Sequence, residues 1–343
     1  MEEVSIIGLD LAKHVFQAHG ASADGKALLR RKLYRKDVLP FFAIQAPCLV
    51  VMEACGGSHY WARQIRQLGH EVKLIAPAHV KPFVKRNKTD AADAEAICEA
   101  AVRPNMRFVP IKSEAAQGNV TLLRARQLLE RQRTQAINAL RGLMSEYGLV
   151  VPEGRRHVTT LVGMVEDDSF GLAQVARVGL RALAATIESL TRHLADLDGQ
   201  IRASVKQDEA ARRLMTIPGV GPMTAAAMLA LVVDPSIFRC GRDFSASLGL
   251  TPREHSSGGK QRLGAISKRG DRTLRRLVML GATAVVRQAV IKPPAPTSWL
   301  AKMLARKPRM LVITALANKI ARVVWALMAK GGVYRERTEA TAG

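Results

Sequence analysis

Two carboxylates, Asp90 and Asp93, stand three residues apart near the start of an alanine-rich stretch. The stretch has no glycine or proline after Thr89, so it predicts a helix that Thr89 or Asp90 can cap. On a helix the two acids share one face, and at about 4 Å they would repel by roughly 4 kcal/mol at an effective dielectric near 20. A divalent cation held by oxygen ligands would offset that repulsion. Taken alone, the pair is more simply explained as a solvated helix start that the helix dipole stabilises.

Two further acids follow predicted strands. Asp10 ends the short β-rich run 4–10, and Glu53 follows the nearly all-apolar run 48–52, which is typical of a central strand covered on both faces. Neighbouring strands of one sheet would bring both acids to one edge, where a packed helix could add the carboxylates of Asp90 and Asp93. Four converging carboxylates could bind two Mg²⁺ (or Mn²⁺) ions, which clamp the attacking and leaving oxygens of a phosphodiester.

The elements predicted before residue 110 follow the order β-β-β-α-β-α-β-α. Asp24 and Gly25 mark a hairpin turn between the second and third strands. With acids on the first strand, the fourth strand and a later helix, this order predicts an α/β, RNase H-like (RuvC-like) domain over residues 1–110. Each acid has an ordinary explanation by itself, but the joint pattern favours a metal site.

The charge of the chain indicates a polyanionic partner. Its 343 residues contain 52 Lys and Arg against 29 Asp and Glu, a net charge of +23. Residues 251–343 alone contain 19 basic and four acidic residues, a net of +15. Since no lipidation signal or amphipathic anchor is evident, nucleic acid is favoured over a membrane surface.

Cysteine usage and hydropathy favour a soluble protein of a reducing cytoplasm. The four cysteines are scattered, with no CxxC pair and no zinc-ligand spacing, and the acidic N-terminus does not resemble a signal peptide. The run 214–233 is 20 residues without a charge, which is long enough to raise the question of a membrane span. Because Pro218, Gly219, Gly221 and Pro222 interrupt it, we expect a buried turn and helix.

A helical, coiled-coil region is predicted for residues 111–207. Apolar residues fall near heptad spacing in a first run (Leu122, Ala125, Leu129, Ala136, Leu140 and Leu143) and step by four and three in a second (Leu183, Ile187, Leu190, Leu194, Leu197 and Ile201). The two helices can pair within the chain, or the second can join protomers as a dimer or tetramer.

A third, mainly helical domain is predicted for residues 208–343. Gly219 and Gly221, followed by Thr224 as a helix cap, are similar to a helix-hairpin-helix, whose backbone N–H groups would bind phosphate without reading bases. The alternative is a tight turn with a packing role only. Two later helices, near 297–305 and 309–329, add basic residues and an apolar stripe.

A serine-rich loop lies in the most basic part of this domain. Ser256 and Ser257 precede Gly258 and Gly259, and the surrounding segment is rich in cations: Lys260, Arg262, Lys268, Arg269, Arg272, Arg275 and Arg276. A serine hydroxyl among such cations could attack a phosphate while they stabilise the developing charge. From these residues alone, a basic DNA-binding loop is the more economical interpretation.

Together these motifs resemble one family. The segments are Gly8-Leu9-Asp10, Glu53, Thr89 to Ala94, Ile217 to Gly221, Gly249 to Pro252, Ser257-Gly258 and Lys268 to Gly270. Over nearly the whole chain they resemble the DEDD transposases of bacterial insertion sequences, of the IS one-ten and IS eleven-eleven type, which are related to the Piv-type DNA invertases.

The resemblance implies a RuvC-like N-terminal domain, a helical middle and a C-terminal transposase domain. It implies that Asp10, Glu53, Asp90 and Asp93 bind Mg²⁺ and that Ser257, with Ser256 as the alternative, is the nucleophile. It further implies a cytoplasmic, nucleoid-associated homo-oligomer that recombines double-stranded DNA at element ends and targets, guided by an element-encoded structured RNA. Two other functions stay open: a RuvC-type nuclease without a covalent serine intermediate, and a non-catalytic nucleic-acid scaffold.

Overall fold

Six strands form one mixed sheet at the start of the computed structural model, which describes residues 3–84 and 89–335. The strands are β1 (Ile6–Asp10), β2 (Val15–Ala21), β3 (Ala27–Tyr34), β4 (Leu49–Glu53), β5 (Glu71–Ile75) and β6 (Phe108–Val109). Their order is β3-β2-β1-β4-β5-β6. β4 is parallel to both β1 and β5, and the other neighbours are antiparallel. The mixed α/β class predicted for this part of the chain is confirmed.

In the described part of this unit, four α-helices accompany the sheet: α1 (Val38–Ala43), α2 (Ser58–Gln67), α3 (Pro77–Val80) and α4 (Asp90–Ala101). Side chains alternate between the two faces of each strand. Leu9 and Met52 therefore lie in one buried cluster with residues of α1 and α2, whereas Ile6 and Val51 lie in another with residues of α4. This alternation decides which strand residues lie on the α4 side of the sheet.

The chain divides into two compact units, Met1–Gln117 and Gly118–Gly343. The long helix α5 (Glu114–Ser145) begins at the end of the first unit. The second unit is mostly helical, as predicted, and continues with α6 (Val158–Glu166), α7 (Gln174–Gln207), α8 (Glu209–Met215), α9 (Pro222–Leu231), α10 (Gly241–Ser247), β7 (Pro252–Glu254), β8 (Leu263–Ile266), α11 (Arg272–Ile291), α12 (Trp299–Arg306) and α13 (Arg309–Lys330).

Helices α5 and α7 pair in antiparallel orientation within the chain. Near one end the Arg126 guanidinium of α5 forms an ion pair with Asp198 of α7, and near the other Leu140 and Ile187 lie in one buried cluster. Of the predicted α7 seam, Ile187, Leu194 and Ile201 are buried, so the chain itself covers every second seam residue.

The predicted seam of α5 was partly wrong. Its buried apolar residues are Val120, Leu123, Ala136, Leu140 and Met144, whereas Leu143 is half exposed. A heptad drifts by about 20° per repeat relative to a straight helix. Residues chosen by heptad spacing over three heptads therefore fall beside the face that contacts a partner.

The last helix, α13, is long and apolar enough to cross a membrane by length and composition. Its apolar stripe, which includes Val312, Ala317, Ile320 and Val324, is buried in the core of the second unit. This burial explains its composition as that of a core helix. The uncharged run 214–233 likewise forms the predicted turn and helix, and Ala225 of α9 is fully buried.

Candidate active site

Three acids converge at the carboxyl end of β1. Carboxylate oxygens of Asp10, Asp90 and Asp93 all lie within 4.8 Å of one another. Asp10 ends β1, and the other two occupy the first turn of α4. The Thr89 side chain caps this helix by accepting a hydrogen bond of 3.2 Å from the backbone N–H of Ala92, as predicted for one of the two candidates. The helix N-terminus lowers the electrostatic cost of holding two carboxylates there.

Gly8 permits this convergence. A Cβ atom on Gly8 would lie 2.3 Å from the carbonyl oxygen of Ala94 and 3.0 Å from the backbone nitrogen of Cys98, both in α4. Only a residue without a side chain therefore allows α4 to lie this close to β1. This contact joins Gly8, two residues before Asp10, to Ala94, the residue after Asp93. The close approach at Gly8 therefore fixes the separation between the acids.

Glu53 lies beside this group but outside it. In the parallel β1–β4 pair Leu9 is opposite Met52, which places Asp10 and Glu53 at the same level of adjacent strands. Both side chains lie on the α4 side, because Leu9 and Met52 occupy the opposite face. Among the described residues, Glu53 is not within the 4.8 Å group that the three aspartates form.

Cys55 was not predicted as part of this region. Burial, followed by the charges of Glu53 and Asp10, raises the pKa of its thiol. The thiol therefore lies within the electrostatic field of both carboxylates. Its place two residues after Glu53 was the available sequence signal.

The serine loop forms the turn of a two-stranded hairpin. β7 and β8 are antiparallel, and Ser257 pairs with Lys260 across a turn whose central residues, Gly258 and Gly259, both have positive φ. Such turns match the twist of the flanking strands and favour glycine. The serine loop is therefore the exposed turn of a hairpin.

The two serines have different surroundings. The Ser256 hydroxyl donates to Glu254 Oε1 at 2.9 Å and accepts from the Arg262 backbone N–H at 3.1 Å. The bond from Arg262 connects the two arms of the hairpin, and the bond to Glu254 fixes the hydroxyl within the first arm. Ser257 lies at the turn with an exposed side chain, where an approaching group can reach its hydroxyl.

The predicted cations fall into two groups. The first group is exposed and consists of Lys260, Arg262, Lys268, Arg269 and Arg272. Arg275 instead donates to the carbonyl oxygens of Leu248 and Arg269 at 2.9 and 2.8 Å. Arg276 forms an ion pair of 3.7 Å with Glu130 of α5. The first group can contact phosphate directly, whereas the second also supports the fold.

The loop before α11 is tightly constrained. Lys268 has a φ of 55°, the left-handed region, which costs a residue with a side chain roughly 1–2 kcal/mol. Its backbone N–H donates to the Gly249 carbonyl at 3.1 Å, and a Cβ on Gly270 would lie 1.7 Å from the carbonyl oxygen of Ser247. This backbone contact orders the basic segment.

The helix-hairpin-helix-like turn contains one glycine in close packing. A Cβ on Gly219 would lie 2.8 Å from the carbonyl oxygen of Gly281 in α11. Gly221 caps α9, and open space surrounds the position of its missing side chain. Thr224 was wrongly predicted as the cap, since α9 begins at Pro222 and Thr224 is buried in its first turn.

Comparison with known proteins decides the family. A model described as a transposase of the DEDD type of IS110 elements matches residues 7–149, and one described as the IS116/IS110/IS902 transposase family matches residues 211–295. A probable family 20 transposase of Pseudomonas aeruginosa is 48% identical over 97% of this chain and 99% of the relative. The chain belongs to the IS110/IS116/IS902 family of transposases.

Other relatives agree with this assignment. The transposase for insertion sequence element IS1111A of Coxiella burnetii is 39% identical over 98% of this chain and 92% of its own length. A pilin gene-inverting protein of Moraxella lacunata is 22% identical over 84% of this chain and 82% of the relative. The predicted family is confirmed, and the transposase is an enzyme that acts on DNA.

Proposed function

We propose that this transposase cleaves and exchanges DNA strands with a serine nucleophile, assisted by a divalent metal site. The observation that carries the proposal is the convergence of Asp10, Asp90 and Asp93 within 4.8 Å. The strand order and the acids at the ends of β1 and β4 support an RNase H-like, RuvC-like assignment for the sheet.

The donor set fits Mg²⁺ or Mn²⁺. Carboxylate oxygens are the ligands that these hard cations prefer, and three carboxylates this close would repel one another without a cation. Asp10, Asp90 and Asp93 would hold the ion, with Glu53 as a further ligand from the adjacent strand. When bound, the metal would supply Lewis-acid stabilisation of charge on a phosphodiester.

Ser257 is the proposed nucleophile. In the reaction its oxygen would bond to the phosphorus of the scissile phosphodiester as the bond to the leaving deoxyribose oxygen breaks. The serine hydroxyl proton would pass to a base, and the leaving deoxyribose oxygen would take up a proton to become a hydroxyl. The exposed Lys260 and Arg262, on the same hairpin, would stabilise the negative charge on the phosphoryl oxygens. Ser256 would hold the hairpin, since its hydroxyl already has a donor and an acceptor.

The partners proposed are double-stranded DNA at the element ends and target, a structured guide RNA, and further copies of this chain. The positive charge of the chain supports the nucleic-acid partners. Cells would contain the transposase in the cytoplasm, associated with the nucleoid. Exchange of two duplexes requires more than one active centre, which supports a homo-oligomer.

Mg²⁺ titration tests the metal site. Calorimetry should detect Mg²⁺ binding to the transposase. An Asp10→Asn/Asp93→Asn variant should lose both this binding and DNA cleavage. The double variant should keep the thermal transition of the unmodified chain, because removing like charges relieves repulsion. An Asp198→Asn variant, in the α5–α7 ion pair, is the matched control and should bind metal normally. Full cleavage by the double variant would contradict the assignment.

A RuvC-type nuclease is the second candidate function. The same acids favour it, since metal-activated water could attack the phosphodiester in place of serine. A Ser257→Ala variant distinguishes the two, with Ser256→Ala as its neighbour control. We expect Ser257→Ala to abolish strand exchange and Ser256→Ala to reduce it through a less stable hairpin. Normal strand exchange by Ser257→Ala would favour the nuclease.

A further inference from the structure

The third strand is a basic edge in the first unit, remote in sequence from the cations discussed above. β3 pairs only with β2 among the described strands and lies at the end of the sheet. The segment 26–36 contains six basic residues: Lys26, Arg30, Arg31, Lys32, Arg35 and Lys36. A concentration of this kind on a sheet edge is a candidate surface for a polyanion.

Strand alternation divides these cations between the two faces. The Arg31 guanidinium lies 5.7 Å from the centre of the Phe41 ring, on the α1 side. Arg30 forms an ion pair of 3.5 Å with Glu95 of α4, on the other side. Lys32 is two residues after Arg30 and therefore shares the α4 side, the side on which the acids converge.

The register of the sheet places Lys32 in line with the acids. Asp10 of β1 is opposite Gln17 of β2, and Gln17 is opposite Lys32 of β3. Residues directly opposite on antiparallel strands lie on the same face. At about 4.8 Å per strand, the backbone of Lys32 is about 10 Å from that of Asp10. One row of side chains thus leads from the acid cluster to the edge of the sheet.

This row is open to solvent, whereas the next row is covered. His19, opposite Gly8, is buried beneath α4, but Gln17 is half-buried and Lys32 is exposed. Tyr34 lies beyond Lys32 on the same face with 55% of its surface exposed, and the Lys32 ammonium lies 5.9 Å from the centre of its ring. An exposed aromatic ring next to a cation is the usual combination for a single strand of nucleic acid.

We propose that Gln17, Lys32 and Tyr34 bind the DNA strand that is cut. The bound strand would lie between the aspartates and the β3 edge of the sheet. Lys32 contacts a backbone phosphate near the scissile one, Gln17 hydrogen-bonds the intervening backbone, and a base stacks on Tyr34. The inference rests on the proposed metal site, since it takes the position of the scissile phosphate from the aspartates. These three are positioning residues that bind substrate without taking part in bond breaking.

The test measures binding of a fluorescent single-stranded DNA oligonucleotide to the full chain by anisotropy, across a salt series in Ca²⁺. Lys32→Gln should lower the slope of log affinity against log salt by about 0.7, the contribution of one phosphate on a single strand. Tyr34→Ala should weaken binding about tenfold, within the range of a lost base stack, and Tyr34→Phe should bind normally.

Arg31→Gln is the matched control, since it removes the same charge from the next residue of the same strand but from the opposite face. Its slope should equal that of the unmodified chain. An unchanged slope for Lys32→Gln, or an equal fall for Arg31→Gln, would overturn the proposal.

Photo-crosslinking gives a second measurement. A 4-thiothymidine oligonucleotide should crosslink to the tryptic peptide Leu33–Arg35, which contains Tyr34. Crosslinks confined to the second unit would contradict the proposed DNA-binding surface. A separate DNA cleavage assay of an Asp10→Asn variant in Mg²⁺ distinguishes failure of this inference from failure of the proposed function. Cleavage retained by Asp10→Asn would contradict the proposed metal site. The salt slope of Lys32→Gln would still test the DNA-binding surface directly.

Discussion

Substitution of Gly8 by alanine should separate the acids without removing any of them. The new Cβ would lie 2.3 Å from the Ala94 carbonyl oxygen, whereas ordinary contact begins near 3.4 Å. Either α4 or β1 must therefore move by about 1 Å, and Asp93 is the residue before the contact. A misplacement of about 1 Å can cost roughly 100-fold in rate, and overpacking of this kind costs about 1–3 kcal/mol in stability.

We expect Gly8→Ala to bind Mg²⁺ at least about tenfold more weakly by calorimetry and to cleave DNA roughly 100-fold more slowly. Gly20→Ala is the matched control: its Cβ would lie 2.9 Å from the Leu29 Cβ and 3.0 Å from a Val4 methyl group. That contact is with side chains away from α4, so stability should fall while metal affinity is retained. A folded Gly8→Ala variant with unchanged metal affinity and cleavage would refute the reasoning.

Three further predictions concern the second unit. Leu194→Glu should lower stability by about 3 kcal/mol or more because it buries a charge, and half-buried Leu190 should tolerate the change better; the reverse order in thermal denaturation would contradict the α5–α7 packing. Lys268→Gly should not lower the unfolding free energy, since left-handed strain of about 1–2 kcal/mol exceeds the cost of glycine, about 0.5–1 kcal/mol. Its affinity for duplex DNA should nevertheless fall in a binding assay. A lower melting temperature would argue against strain at Lys268. Arg272→Gln should reduce the salt slope of duplex binding by about 0.9, whereas Arg275→Gln should chiefly lower the melting temperature; identical effects of the two would contradict the division of the cations.

Local sequence signals were sufficient for most of the strands and helices of the first unit and for their order along the chain. The apolar run before Glu53 and the Asp24–Gly25 turn each specify their element through short-range rules. The placement of Asp10 at the same end of the sheet as Glu53 then follows from parallel pairing. The approach of α4 depends instead on Gly8, whose role is visible only when Ala94, 86 positions later in the chain, lies against it.

Signals in the second unit were weaker or were weighted wrongly. Gly258 and Gly259 are a recognised hairpin signal, but the segment was interpreted only as a serine-rich basic loop. Arg275 was grouped with the phosphate-binding cations because its sequence neighbours are basic, while its actual partners are carbonyl groups of a distant turn. The α7 seam was identified from its spacing, but which surface covers Leu194 depends on tertiary packing.

The most direct test of the account is mass spectrometry of a stalled strand-exchange reaction. The reaction would use a DNA substrate nicked near the cleavage site, so that the covalent intermediate accumulates. We predict a nucleotide adduct on Ser257 that is absent from the Ser257→Ala variant. A chain with Ser256→Ala should still form this adduct, in lower yield. An adduct on Ser256, or reproducible strand exchange by a chain lacking both hydroxyls, would contradict the proposed nucleophile.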